Sequence, residues 1–397
     1  LQGAKYTSVP CRALFYTTTA QVPTILYFIV IFIRLMIWKF PKLFSILLFV
    51  FASVRGQDST ESRKQANGIA AIPMINYNRT QGVILGAIVS NYFKVSKKDS
   101  LSPSSNIGIA GIYTAQKSYA LFLYTQLFFD QDRWRVRAAA GSMDINFQFY
   151  LEDPVTSTGN FSDYSTKANL VVLQLQRNIF KRIYVGPTGS FIKATTTFSF
   201  PGVSGQDSVS KSILNNIGYI ISNDTRDHVQ YPTKGMFLNF KNQFYRNWIG
   251  SDYEFVRYIV TYNQFFRLSK ENDKHVLVGR ATMNIATGNV PFEGQTVVGG
   301  DDIRGYSQGK YRNNQVYTLQ TEYRLNFYRK WGLVAFAGIA TAVANFSNIP
   351  DSPLLPGAGA GLRFRMLPSE KVNIGVDAGV GRGDYSITFR IGEAFGR

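Results

Sequence analysis

From Gly68 onward, apolar residues recur at every second position rather than every third or fourth. Across 316–327, Tyr317, Leu319, Thr321, Tyr323, Leu325 and Phe327 form one face. Thr318, Gln320, Glu322, Arg324 and Asn326 form the other. A period of two belongs to a strand. Met236, Leu238 and Phe240 alternate in the same way with Phe237, Asn239 and Lys241. Tyr385, Ile387, Phe389 and Ile391 alternate with Ser386, Thr388, Arg390 and Gly392. A soluble antiparallel sheet can show this pattern. Here the apolar face ends in aromatics and the polar face carries charges in a row. Segments of about ten residues, apolar outside and polar inside, are the signature of an outer-membrane barrel. Lipid forces closure, because an open edge leaves backbone groups unpaired in hydrocarbon. Aromatic residues make up 15% of the chain, enough for girdles at both interfaces. Glycines inside strands, as at Gly357, Gly359 and Gly361, mark bends or the close approach of another backbone.

The alternation predicts an all-β fold, a 16-stranded antiparallel transmembrane β-barrel over 68–397. The expected strands are 68–77, 82–93, 106–116, 118–129, 132–150, 164–178, 181–197 and 212–223. They continue at 235–246, 251–268, 274–288, 314–327, 331–345, 356–367, 371–380 and 384–395. An even count leaves both ends of the barrel chain on the periplasmic side. The loops at 151–163, 198–211 and 289–313 then fall on the extracellular face, with short turns such as 178–181 and 269–273 opposite. The segment 94–105 is long for a periplasmic turn. The loop 289–313 is long, carries glycine pairs and a single Arg between apolar neighbours, and reads as folding inward.

Residues 1–56 differ in composition. They hold six basic residues and no Asp or Glu. Lys39 and Lys42 followed by the apolar run 43–51 and by Val54-Arg55-Gly56 read as a signal peptide starting at Met36. The run is short for a membrane span, which needs about 20 residues. The rival anchor at 24–38 is interrupted by Arg34. The chain opens on Leu, so 1–35 read as an over-extended N-terminus, and 57–67 as a disordered leader. The one cysteine, Cys11, lies in the part expected to be removed, which excludes a disulfide framework or thiolate metal site in the barrel.

Enzymatic readings are weak. Gly305-Tyr306-Ser307-Gln308-Gly309 fits G-x-S-x-G, but no helix is expected after it, and the two histidines, His228 and His275, sit near turns elsewhere. Asp301-Asp302 supplies too few oxygens for calcium and reads as solvated loop charge. No metal, cofactor or catalytic residue is expected. The 43 Lys and Arg outnumber 25 Asp and Glu, yet no basic block with interleaved aromatics points to nucleic acid.

Three motifs resemble those of one family. The first is Gly299-Gly300 followed by Ile303-Arg304-Gly305-Tyr306, between the eleventh and twelfth strands. The second is Asp224-Thr225-Arg226-Asp227 followed by Tyr231-Pro232-Thr233-Lys234-Gly235, between strands eight and nine. The third is the ending Phe389-Arg390-Ile391-Gly392-Glu393-Ala394-Phe395. Together they resemble the barrel of the BamA/TamA superfamily, the bacterial surface-antigen family, with an ending similar to that of Bacteroidetes-type members. The resemblance covers roughly 68–395.

It implies a bacterial outer-membrane protein, embedded in outer-membrane lipid, that serves outer-membrane protein or lipoprotein assembly or translocation. Client outer-membrane proteins and a lipoprotein or periplasmic-domain partner come with that implication, since no room for periplasmic repeat domains is expected before the first strand. A pore for small solutes and a non-transporting subunit of a membrane complex are the alternatives. The resemblance also implies that Arg304 contacts acidic residues inside the barrel. Glu322 faces inward and is the expected partner, though it could pair instead with Arg324 or Arg390. On strand thirteen the family often has Asp before Ala-Gly, where this chain has Phe336-Ala337-Gly338. Pro232 and Gly235 suit a tight periplasmic turn, with Asp224 and Asp227 bonding nearby amides. Phe395 is expected as an interface anchor and, by resemblance, as part of the C-terminal insertion signal. Pro73 in the first strand removes a ladder donor, as expected at an edge. A seam between first and last strands is implied.

Overall fold

The computed structural model of the protein describes residues 68–152, 159–199, 208–270, 272–368 and 371–395. The expected signal peptide and leader, and the tips of two expected loops, lie outside the described residues. Strands run β1 Gly68–Asn78, β2 Gly82–Phe93, β3 Ser105–Thr114, β4 Tyr119–Phe129, β5 Trp134–Glu152, β6 Gly159–Phe180 and β7 Ile183–Ser199. β8 comprises Ser208–Ile213 and Asn216–Asp224. Then come β9 Gly235–Tyr245, β10 Phe255–Arg267, β11 His275–Gly288, β12 Gln315–Tyr328, β13 Trp331–Val343, β14 Leu355–Leu367, β15 Val372–Gly381 and β16 Asp384–Ile391. Each pairs antiparallel with its chain neighbour, and β1 pairs with β16 to close the barrel. The sixteen strands are those the alternation predicts.

The two faces part as their chemistry requires. Leu85, Val89, Ile109, Leu121, Leu123, Leu173, Leu319 and Leu362 are exposed on the outer face, where lipid replaces water. Tyr113, Phe180, Phe266, Phe327, Tyr328 and Tyr385 are exposed near strand ends, as girdle aromatics are. The inner faces carry buried polar groups, among them Gln320, Glu322, Arg324, Arg363 and Asp377.

Several boundaries differ from expectation; β10, for one, begins at Phe255 rather than at 251. β5 and β6 run to Glu152 and from Gly159, so the expected loop 151–163 is mostly strand. At 19 and 22 residues they exceed the roughly 10 residues a tilted strand needs to cross lipid. Their outward positions near the loop end are polar (Asp144, Asn146, Asp163, Ser165 and Lys167), so this end stands clear of lipid. β8 begins at Ser208, inside the expected loop 198–211, and breaks at Leu214-Asn215. There the Asn215 amide donates to the carbonyls of Ile249 and Gly250 at 3.0 and 3.2 Å.

The long turn 94–104 is a folded cap. The Asp99 carboxylate accepts from the amides of Ser102 and Gln131 at 2.9 Å each and from the Ser102 hydroxyl at 2.6 Å, tying this turn to the next one, 130–133. The last strand stops at Ile391 rather than 395. Gly392, at φ +78°, turns the chain inward, and residues 393–395 enter the lumen.

Closure is uneven. β1 and β2 share eleven residue pairs, and β15 and β16 share eight. β1 and β16 share three: Asn76 with Thr388, Tyr77 with Ile387 and Asn78 with Ser386. Pro73 lies in the part of β1 that pairs with β2 alone.

Candidate functional site

The loop between β11 and β12 folds into the barrel. A two-residue ladder, Thr296–Val297 against Arg312–Asn313, pinches its base. Val298, Ile303 and Tyr306 pack with Val316, Ala340 and Leu355 of the wall. Gly299 and Gly300 have positive φ, as does Gly305 at +103°. A Cβ on Gly305 would lie 2.6 Å from the Val380 backbone, and one on Gly381 would lie 2.4 Å from the Tyr306 ring. The loop main chain therefore sits in a groove that glycines of β14 and β15 leave open. Gly357 is part of that groove: its Cβ would lie 2.6 Å from the Arg304 carbonyl. The Tyr306 hydroxyl donates to the Pro356 carbonyl at 2.6 Å and accepts from the Arg382 amide at 2.9 Å.

Arg304 ends in a buried charge network. Its Nη1 lies 2.6 Å from Glu322 Oε2 and 3.0 Å from Asp377 Oδ2, and its Nε donates to Gln320 Oε1 at 2.9 Å. The expected Arg304–Glu322 pair forms, and so does one of its rivals: Arg324 Nε donates to Glu322 Oε1 at 2.7 Å. Arg390 instead joins Asp377 and Asp301, at 2.8 and 2.9 Å. Arg363 bridges Asp377 and Glu393. Asp302 pairs with Arg280 at 2.6 Å. Asp301 and Asp302 are thus half-exposed partners of lumen arginines, a correction to their reading as solvated loop charge.

The second carboxylate was not legible at strand thirteen, because it stands on β15. Phe336 fills the strand-thirteen position and gives Arg304 a ring face 3.6 Å from its guanidinium carbon. Asp377 faces the same lumen as Glu322, and the inward parity of β15 is the signal that could have found it.

The turn 225–234 also enters the lumen, more than the tight structural turn expected. Tyr231 is buried, and the Pro232 carbonyl accepts from Arg324 Nη1 at 3.2 Å. Gly235, at φ +95°, lets the chain re-enter β9. Asp224 does not serve amides chiefly: Arg226 grips its two oxygens at 2.8 and 2.9 Å. Asp227 does as expected, accepting from the Thr233 and Lys234 amides at 2.8 and 3.2 Å and from the Thr233 hydroxyl. Burial pushes the Asp227 carboxyl up, but these hydrogen bonds win and hold it below the usual carboxylate value.

The tail is the third insert. Glu393 accepts from Asn373 at 2.7 Å and from Arg363 at 3.0 Å. Phe395 is fully buried against Phe265, Val276 and Val278. Its carbonyl accepts from Asn263 at 3.2 Å, and its ring lies 5.2 Å from the Arg304 guanidinium. The expected interface anchor is therefore a lumen residue: once Gly392 reverses the chain, its ring points away from lipid. Phe389 and Ile391 stay on β16.

Ser307 has no histidine partner in this site. Its amide and hydroxyl donate to Asp384 at 2.8 and 3.3 Å. His275 sits with the Tyr323 hydroxyl, 2.6 Å from it.

A closed sixteen-stranded barrel with a lipid-facing apolar outer wall and an arginine-tipped loop folded into its lumen is the class of protein that the fold and the site define. The Omp85 superfamily domain matches residues 99–395, and the chain belongs to that superfamily. It is a protein of the bacterial outer membrane. Over 89 residues it is 35% identical to the outer membrane protein assembly factor BamA of Nitratidesulfovibrio vulgaris (strain Hildenborough). That match takes in 21% of this chain and 11% of the relative, so the chain aligns with a small part of it. The fold is similar to BamA from Haemophilus ducreyi lacking POTRA domains 1-3, with TM-score 0.54 and 14% identity over 83% of this chain and 71% of that one. It is also similar to CdiB from Escherichia coli, with TM-score 0.56 and 13% identity over 84% and 66%. CdiB from Acinetobacter baumannii gives TM-score 0.52 and 13% identity over 83% and 60%.

Proposed function

We propose that this barrel takes part in assembling outer-membrane proteins or lipoproteins, or in translocating a client across the outer membrane, by opening the seam between β1 and β16. The seam carries the reading. Three ladder pairs hold it, against eleven and eight at the flanking ladders. The stretch of β1 from Gly68 to Ile75 offers an edge that an incoming strand could pair with. The inserts suit this role, because the arginine network braces β12, β14, β15 and β16 while the seam parts. A separate protein presenting periplasmic domains, or a lipoprotein, is the proposed partner, and client outer-membrane proteins the proposed cargo.

The test is a disulfide across the seam. Asn76→Cys with Thr388→Cys joins directly opposed residues. Under oxidation, levels of outer-membrane proteins and lipoproteins should fall, and a reductant should restore them. Unchanged levels of all of them, in the locked cells and on depletion of the protein, would sink the proposal.

A further inference from the structure

Short strands do not account for the short seam. β16 pairs with β15 over its whole length, from Asp384 to Ile391. β1 pairs with β2 from Gly68 to Asn78. In the register that joins Tyr77 to Ile387, Ile75 lies opposite Phe389 and Pro73 opposite Ile391. All four residues are in strands, yet the β1–β16 ladder ends at Asn76 and Thr388. Its other end is fixed. The Tyr77 and Tyr385 rings stack 5.8 Å apart with their hydroxyls at 3.2 Å, and Arg79 Nη1 donates to the Gly383 carbonyl at 3.1 Å. Lys310 of the inward loop donates to the same carbonyl at 2.7 Å. The ladder can lengthen only toward Gly68.

A side chain stands at the point where it stops. Asn76 Oδ1 accepts from the Phe389 amide at 2.6 Å. Successive residues of a strand send their main-chain groups to opposite edges. The Phe389 amide faces β1, so those of Ile387 and Ile391 do too. The Gly392 amide, one residue on, faces the other way and donates to the Asn373 carbonyl beside β15 at 2.7 Å. On β1, the residues whose main chain faces β16 are then Tyr77, Ile75 and Pro73. Pairing Ile75 with Phe389 needs the amide that the Asn76 carboxamide holds. Pairing Pro73 with Ile391 lacks a donor, because proline has no N–H. That missing donor faces the seam, and Pro73 keeps its place opposite Ala87 in the β2 ladder.

We propose that Asn76 is a built-in stop for the seam, a positioning residue whose carboxamide stands in for a strand carbonyl on the Phe389 amide. Pro73 is a second stop, one hydrogen-bonded pair further on. Together they keep Phe389–Ile391 from zipping onto β1, although both strands are long enough to pair there. Each pair so withheld is one fewer to break when the seam parts. The inference rests on the reading of the seam as the opening through which the barrel acts, and it names the residues that set its resting length.

The test is amide hydrogen exchange of the detergent-purified full chain, resolved to single amides. In N76L, which keeps the shape and removes the acceptor, the Ile75 amide should exchange at least tenfold more slowly than in the wild type. N76L/P73V should extend protection to the new amide at position 73 and raise the temperature at which the barrel loses its folded gel mobility. N76D keeps an acceptor oxygen and should exchange as the wild type does. P73V alone should leave Ile75 unprotected, because the first stop is intact. Wild-type exchange at Ile75 in both N76L and N76L/P73V, or protection of Ile75 in P73V alone, would overturn the assignment. The readout does not depend on activity. A seam that zips in N76L/P73V while outer-membrane protein and lipoprotein levels stay normal upholds the stop and counts against the seam as the working opening.

Discussion

The guanidinium carbon of Arg304 lies 3.6 Å from the centre of the Phe336 ring. One face of the fork is thus covered by an aromatic ring, while its edge meets Glu322 and Asp377. A carboxylate at position 336 would occupy the place of the ring, and here β15 supplies the second negative charge instead.

Arg304→Ala leaves two buried carboxylates short of a cation. Breaking a buried pair from one side costs about 3–5 kcal/mol. Heat-modifiable mobility on gels and urea unfolding in micelles should both shift down. Arg304→Lys should recover only part of the loss, since it lacks the planar fork and the stacking face. Stability equal to the wild type in Arg304→Ala would mean that the network does not hold the loop.

Gly381→Ala tests the groove. Its Cβ would lie 2.4 Å from the Tyr306 ring. The loop should lift from the wall while the barrel stays closed. Protease cleavage between 289 and 314 should rise several-fold, with folded barrel still seen by heat modifiability.

The cap at Asp99 should loosen in acid. Hydrogen bonds from the Ser102 side chain and amide, and from the Gln131 amide, lower its carboxyl to about 2. A lowered folded value means that the carboxylate stabilises the cap fully above its ordinary value of about 4. The contribution is lost as pH falls from there through about 2. Hydrogen exchange at Leu101, Ser102 and Gln131 should accelerate over that window, and Asp99→Asn should remove the pH dependence.

Phe395→Ala should open a cavity between β10, β11 and the loop. Large-to-small changes of this kind cost about 3–5 kcal/mol. Single-channel conductance in planar bilayers should rise, because the ring is part of what fills the lumen. Unchanged conductance would show that other inserts seal it alone.

Strand number, face assignment and the inward charge of Glu322 were legible because lipid and lumen impose a strict alternation on every strand. The Arg304–Glu322 pair followed from that alternation and from the loop motif. For Asp377 the sequence shows only the inward parity of β15, since a partner several strands away leaves no local spacing that pairs it with Arg304. The tail was misplaced for a related reason: alternation continues through Gly392, while one positive φ there takes Phe395 inside. The full lengths of β5 and β6 are not legible, because polar outward residues in a strand read as loop where lipid is expected on the outside.

The three-pair seam has a consequence for the surrounding bilayer. Three residues of ladder span about 10 Å, against a hydrocarbon thickness of about 30 Å. The main-chain donors and acceptors of Gly68–Ile75 that point away from β2 therefore lie at membrane depth without a β16 partner. Hydrocarbon does not solvate such groups. Lipid beside this edge must thin, or admit water, so the barrel deforms its membrane on one flank even at rest.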